Sequence, residues 1–333
     1  MSCSLKLWSY LCVLTLAVNV SSGASALGGG ALAGQRYRVV ISSDIGGDDE
    51  DDIQSMVHYL VYSDLFDTEG IISSPPKKGR KEDILKVIDI YEKDYPNLKS
   101  WSEKYPEPEY LRSIAKQGAI DPAHEKGYSE PTEGSNWIIQ CAKKADERPL
   151  YVLVWGSITD VAQALHDDPG IKSKIRVHFI ASWNQRNDEN AFAYIDKHHP
   201  DTWLIHNDTT LRGWYMGGEQ TGDLGNRSFV EKHIKGYGAL GAYFAPLKGG
   251  SIKMGDTPTV SWLLRGTPED PTKESWGGQF IRRADRPNWW MDNPDPALRE
   301  SDKAGARTIN KWRADYLRDW QKRMQRCASL KTP

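Results

Sequence analysis

The sequence predicts an α/β fold: a mostly parallel sheet with helices on both faces. Three observations carry this reading. Short apolar runs rich in β-branched residues recur along the chain, stretches with apolar residues at helical spacing alternate with them, and several runs are apolar throughout, as strands buried on both faces are. The elements follow in order. "RYRVVI" (36–41) reads as a strand, and "DDIQSMVHYLVYSD" (51–64) as a helix with Ile53, Met56, Val57, Leu60 and Val61 on one side. "FDTEGIISS" (66–74) reads as a second strand, and "KEDILKVIDIYEKDY" (81–95) as a helix with Ile84, Val87, Ile88 and Tyr91 together. "GSNWIIQCAKKA" is a further helix, "PLYVLVWGS" a continuous apolar strand, "ITDVAQALHD" a helix and "KIRVHFIAS" another strand. "RTINKWRADYLRDWQKRMQ" places Ile309, Trp312, Tyr316, Leu317 and Trp320 at helical spacing, which predicts a C-terminal helix packed on the domain.

With 333 residues, 39% of them hydrophobic and 13 of them Trp, the chain is long enough to bury a large core. The 43 Lys and Arg nearly balance 45 Asp and Glu, so the net charge of -2 gives no field that would recruit nucleic acid or an anionic membrane. The first residues read as a secretory signal peptide over 1–26: Lys6, the apolar "LWSYLCVLTLAV", then "SSGASA" ending in an Ala24-x-Ala26 cleavage pattern. That apolar run is shorter than the roughly 20 residues a spanning helix needs. Residues 27–35 are a small-residue, flexible lead-in, 36–300 the α/β domain and 301–333 its C-terminal helix. The expected location is secreted or extracellular, or periplasmic in a bacterium, with no membrane span in the mature chain. Past the signal, Cys141 and Cys327 remain, and they either pair or stay as buried thiols. "NDT" at Asn207 and "NRS" at Asn226 are glycosylation sequons that matter only in a eukaryotic secretory pathway.

Charge is concentrated in one place. "SSDIGGDDEDDIQS" (42–55) puts Asp48, Asp49, Glu50, Asp51 and Asp52 in a row, four positions after Asp44, between the first strand and the first helix. Ligands of such folds gather at the carboxyl ends of strands, which is where this loop lies. Two readings compete. Acidic residues favour a helix N-terminus, at about 0.3–1 kcal/mol each, which accounts for two or three of them in a solvated loop. Six crowded carboxylates instead repel and raise one another's pKa unless a cation neutralises them, and a hard ion such as calcium takes 6–8 oxygen ligands. The D-x-D-x-D-G spacing and closing Glu of an EF-hand are missing. An all-oxygen site would also accept magnesium or manganese.

"VVISSDIGGDDEDD" followed by a helix resembles the N-terminal aspartate motif of nucleoside hydrolases, in which a strand ends in D-x-D-x-G and an Asp pair opens the next helix. It is closer still to the nucleoside hydrolase-like family of exported proteins sometimes described as cellulose-binding. "VLVWGSITDVAQALHDDP" resembles the family's strand-G-x-L-T-N-helix-P segment, and "GDTPTVSWLL" (255–264) its late aspartate motif. "LRGWYMGGEQTG" and "SWGGQFIR" resemble the exported branch, and similarity spans roughly residues 36 to 325. The resemblance implies a nucleoside hydrolase-like, Rossmann-like core and a calcium site. On it, Asp44 binds calcium and orients or deprotonates the attacking water. Asp52 is a bidentate ligand, Asp256 the late ligand, and the carbonyl of Trp155 or a neighbour completes the shell. Asp51 hydrogen-bonds a sugar hydroxyl.

Departures from the family pattern fall at a supporting position, Ser42, and otherwise on the nucleoside side of the site. Ser42 replaces the first Asp, "ISSPPK" stands where an Asn holds the sugar, and the His that protonates the leaving base is Gly255. In "SWNQRNDENAFAYID", Asn184 and Asp196 fall on family positions, whereas Asn190 and Phe192 replace the sugar-binding Glu and Asn, and Glu189 lies one position off. Asn184, Glu189 and Asn190 are carried as substrate-binding candidates. His198 and His199 read as a solvated helix end, since adjacent residues point apart on a helix. The aromatics of "GWYMGG", "ESWGGQF" and "NWWMDN" are core or a sugar-stacking wall. Two functions follow as expectations. One is an exported calcium-dependent hydrolase of N-ribosyl or O-glycosidic bonds, acting on a nucleoside, small glycoside or oligosaccharide. The other is a non-catalytic, calcium-dependent carbohydrate-binding protein. Either could form a homo-oligomer.

Overall fold

The structure, a computed structural model, describes residues 36–47, 49–76 and 79–331. The signal peptide and lead-in expected over 1–35 lie outside the described residues, as does Asp48. The strands are β1 (Tyr37–Ser43), β2 (Phe66–Ser73), β3 (Ala115–Gln117), β4 (Leu150–Val154), β5 (Ile175–Ile180), β6 (Leu204–Asn207), β7 (Phe280–Arg282) and β8 (Trp289–Asp292). They form one sheet in the order β3-β2-β1-β4-β5-β6-β8-β7, parallel throughout except for the β7/β8 pair. The helices are α1 (Asp51–Val61), α2 (Lys81–Trp101), α3 (Pro108–Ser113), α4 (Glu133–Ala142), α5 (Thr159–Asp167), α6 (Ser182–Asn187) and α7 (Glu189–His198). After them come α8 (Asn226–His233), α9 (Gly238–Phe244), α10 (Thr257–Leu264), α11 (Arg307–Asn310) and α12 (Arg313–Ala328).

The apolar-throughout strands are explained by two cores, one on each face of the sheet. Alternation along β1 sends Val39 and Ile41 to one core and Val40 to the other, and β4 divides Tyr151 and Leu153 from Leu150, Val152 and Val154 in the same way. The first core is closed by α1, α2, α9, α10 and α12, and the second by α4, α5 and α7. Truncating a side chain in either to Ala costs about 2–5 kcal/mol. Arg38 is the polar exception in β1. It is 2% exposed and bidentate to Glu69 at 2.7 and 3.0 Å, and it donates to the carbonyls of Cys141 and Arg148.

The C-terminal pattern resolves into two helices that break at Lys311 and Trp312, with Tyr316, Leu317, Trp320 and Met324 of α12 buried in the first core. Trp214, Trp289 and Trp290 are core residues as well, which removes them from any exposed sugar-stacking wall. Cys327 lies in the first core and Cys141 in the second, and both are free thiols. The topology positions the site. From β1 the chain moves to β2 on one side, and β4 pairs with β1 on the other, so the strand order reverses there and opens a crevice beyond their carboxyl ends.

Candidate metal centre

Two helix N-termini converge on that crevice. Asp44 follows the last residue of β1, and the turn after it closes with Gly47 N donating to the Asp44 carbonyl at 2.9 Å. Gly46 sits in this turn at φ +86°, a conformation that favours glycine. Asp51 and Asp52 occupy the first turn of α1, and Asp256 directly precedes α10, with no capping hydrogen bond from its side chain. The two helices are held together by Thr257 Oγ1 donating to Ser55 Oγ at 3.2 Å and by Gln54, whose Oε1 accepts from the backbone of Lys253 and Met254. One oxygen from each of Asp51, Asp52 and Asp256 lies within 4.8 Å of the others. All three residues are buried, at 8%, 5% and 4% exposure.

Burial sets the electrostatics, with Lys253 a cation at the margin of the cluster, 3.6 Å from Asp51 Oδ2. It pushes the Asp51 carboxyl up to about 8, helped by a hydrogen bond to Asp49 and the charge of Asp52. Asp44 is half-buried by surface area yet enclosed by protein, and burial raises it to about 7 despite a hydrogen bond with Asp52. Asp52 and Asp256 are both raised well above the carboxylate range by burial and then by each other's neighbours, Asp44 acting on Asp52, and Asp52 and Asp51 on Asp256. Asp52 Oδ1 accepts from Ser43 Oγ at 2.5 Å, but Asp256 Oδ2 is buried with no hydrogen-bond partner. An orphaned carboxylate oxygen in a ring of carboxylates is what a hard divalent cation with oxygen ligands would satisfy. The residues fit such an ion.

Asp49 behaves in the opposite way. Burial alone would raise it, but hydrogen bonds from Asp51, Lys248 and Lys253 hold it far below the carboxylate range. Lys248 reaches Asp49 Oδ1 at 2.8 Å, and Lys253 pairs with Asp49 and lies 3.6 Å from Asp51 Oδ2. Glu50, exposed, accepts from the backbone N–H of Lys248 at 2.8 Å. These lysines were not singled out from the sequence; their only signal is "LKGGSIKMGD", a cationic stretch running into Asp256.

The other candidates divide. Trp155 follows β4, and its N–H donates to the Ser42 carbonyl at 2.7 Å. Its indole N–H donates to Thr259 Oγ1 of α10 at 2.8 Å. Gly156 packs so closely that a Cβ there would lie 2.9 Å from Asp44 Cβ and 2.4 Å from Ser74 Oγ. Asn184 is drawn in as well, donating from Nδ2 to the carbonyls of Trp155 at 2.8 Å and Ile180 at 3.0 Å. Thus Asp44, Asp51, Asp52, Asp256, Trp155 and Asn184 come together. Glu189 and Asn190 are exposed in the first turn of α7, and the Asn190 amide donates to Ala123 O at 3.2 Å. Asp196 is engaged by Arg283 and Arg286, each at 3.0 Å. Gly255, where the family's leaving-group acid stands, donates its N–H to Asp51 Oδ2 at 3.2 Å, and a Cβ there would meet the same oxygen at 2.7 Å.

Residues 38–280 match the family model described as cellulose-binding Sde182, nucleoside hydrolase-like domain. A solved structure of a nucleoside hydrolase-related hypothetical protein from Saccharophagus degradans, described as associated with carbohydrate metabolism, superposes with a TM-score of 0.70. It is 25% identical, over 89% of this chain and 73% of that one. An inosine-guanosine nucleoside hydrolase superposes with a TM-score of 0.50 at 12% identity, over 89% of this chain and all of its own, which supports the fold alone. No curated protein sequence matches the chain. With more than half its length matched, the chain belongs to the nucleoside hydrolase-like domain family of cellulose-binding Sde182.

Proposed function

We propose that this protein is an exported hydrolase of glycosidic bonds that requires a divalent cation, calcium, at the crevice beyond β1 and β4. The observation that carries the reading is Asp256 Oδ2, an unpartnered oxygen buried among carboxyls that cannot all ionise without a cation. Asp51, Asp52, Asp256 and Asp44 would hold the ion, with the Trp155 carbonyl beside them. When bound, the ion supplies the positive charge these carboxylates lack and acidifies a water. Asp44, the most open of the four, is assigned the proton of the water that attacks the anomeric carbon. Its carboxylate is the one of the four open enough to meet a water at the mouth of the crevice. Asp51 would accept a substrate hydroxyl. Asn184, whose amide fixes the Trp155 carbonyl, would keep that carbonyl aimed. Glu189 and Asn190, exposed on α7, are left for the outer end of a longer substrate.

A second reading, a calcium-dependent carbohydrate-binding protein without turnover, is favoured by Gly255. The position of the leaving-group acid holds a glycine with no acid to offer, and a side chain there would have to displace the Asp51 carboxylate. The test begins with calorimetric titration of calcium into chelator-treated protein. One-site binding that disappears in Asp52→Ala supports the centre, and no binding to the native protein overturns both readings. Nucleosides and glycosides are then screened with calcium and with chelator. Turnover that Asp44→Asn abolishes in a folded protein supports the hydrolase. Retention on insoluble polysaccharide with no release of reducing ends supports the binder.

A further inference from the structure

We propose that Trp183 is a stacking platform for a pyranose ring of an oligosaccharide, forming a subsite on the rim of the crevice. The proposal rests on the carbohydrate reading above and extends it to a residue outside the acidic centre. Among the described residues Trp183 is the one exposed tryptophan, with 62% of its surface open. An indole carries a large apolar face, and leaving it in water forgoes the burial that the other Trp side chains obtain.

Its position is built rather than incidental. α6 begins immediately beyond β5, at the same sheet edge as Asp44, and Trp183 precedes Asn184, whose amide reaches the Trp155 carbonyl. Ser182 sits at φ +28°, where side chains other than glycine are rarely found, and Arg212 Nη2 donates to its Oγ at 2.9 Å. Gln185 pairs with His206 at 2.5 Å, and the Asn187 amide donates to the Trp183 carbonyl at 3.0 Å. The side chains on either side therefore pin the short helix, while the indole is left outward. Its one described ring partner is Arg186, with the guanidinium carbon 5.6 Å from the ring centroid.

That combination suits a sugar. A rigid indole offers a flat apolar face to the C–H face of a pyranose, and an exposed guanidinium beside it offers donors to ring hydroxyls. Continuity with the centre argues for the same occupant in both places, so that one ring stacks on Trp183 while the reacting end lies among the carboxyls.

The experiment is a calorimetric titration of cello-oligosaccharides of two to six sugars into the full chain with saturating calcium, for the native protein, Trp183→Ala and Trp183→Phe. Sedimentation of each variant is run alongside. The expected result is native binding that tightens with length, a loss of about tenfold or more in Trp183→Ala with calcium binding unchanged, and most of the affinity retained in Trp183→Phe. Unchanged oligosaccharide affinity in Trp183→Ala overturns the platform and leaves the carbohydrate reading standing. Absence of binding to the native protein overturns the carbohydrate reading and the platform with it. Self-association that Trp183→Ala abolishes, with sugar affinity unchanged, overturns the platform in favour of a contact between copies.

Discussion

Replacing Asp51 by Asn should stabilise the protein stripped of divalent cations. In the folded state Asp51 is raised from 3.8 to about 8 and Asp44 to about 7. A raised carboxyl holds its proton longer when folded, so stability falls as pH climbs from the unfolded pKa through the folded one. Below pH 6.5 other groups interfere. Burial depresses His58 and His178 to about 3, so they lose stability as pH falls below 6.5, and buried Asp160, raised to about 6, acts in the same range. The readable window is therefore pH 6.5 to 8. Across it, Asp44 and Asp51 alone give a loss of roughly 2 kcal/mol, at about 1.4 kcal/mol per pKa unit, and Asp52 and Asp256, raised well above the carboxylate range, deepen it. For a chain of this size 1 kcal/mol moves Tm by about 1.5 °C, so chelated wild type should lose roughly 3–4 °C or more between those pH values. Asp51→Asn at pH 8 removes a penalty of roughly 3–5 kcal/mol, partly offset by the lost attraction to Lys253, and should raise Tm by about 5 °C. Calcium at 100 times its Kd should raise wild type by about 2.7 kcal/mol and the variant by far less. The assay is differential scanning calorimetry in chelator and in calcium. A flat or rising wild-type Tm across the window, with Asp51→Asn at or below wild type, refutes the reasoning.

Three further outcomes are expected. Gly156→Ala should fold yet weaken calcium binding at least tenfold by calorimetry, because the added methyl would displace Asp44 and Ser74. Arg38→Met should destabilise by about 2–3 kcal/mol in urea titration, since buried Glu69 loses its bidentate partner and keeps Lys144, at 3.0 Å. Cys141 and Cys327, buried in separate cores with thiols raised by desolvation, should resist alkylation in site-resolved mass spectrometry until denaturant is added, and each should then take one label.

The parts of this molecule legible in its sequence are those governed by periodicity. β1, β2, β4 and β5 are long, apolar and flanked by helices of clear spacing, and they form the sheet edge that carries the site. β3, β6, β7 and β8 have three or four residues each, too few for alternation to register, and tertiary pairing alone makes them strands. The acidic loop was visible as charge at a strand's end, and Asp256 only through its resemblance to a late motif. The Asn184 amide is directed at the Trp155 carbonyl, a contact between residues 29 apart that no local pattern encodes. Lys248 and Lys253 were invisible for the same reason, lying about 200 positions from the carboxylate they pair with.

Those two lysines bear on the two readings of the acidic run. A solvated helix cap requires exposed carboxylates, each gaining about 0.3–1 kcal/mol from the helix dipole. Asp51 and Asp52 are instead buried, and a carboxyl pushed from 3.8 to about 8 carries a penalty of several kcal/mol at neutral pH that the dipole does not offset. If the purpose of the nearby cations were to neutralise the loop, they would lie among the buried oxygens. Both lysines converge on Asp49 instead, and the nearer contact to the cluster is Lys253 at 3.6 Å from Asp51. The acidic run is thus split into an outer part, answered by side chains of the chain itself, and an inner part that ends in the unpartnered oxygen of Asp256. An inner set reached by one lysine at its margin and ending in an unpartnered oxygen, beside an outer set paired with two, is an arrangement that a divalent cation would complete.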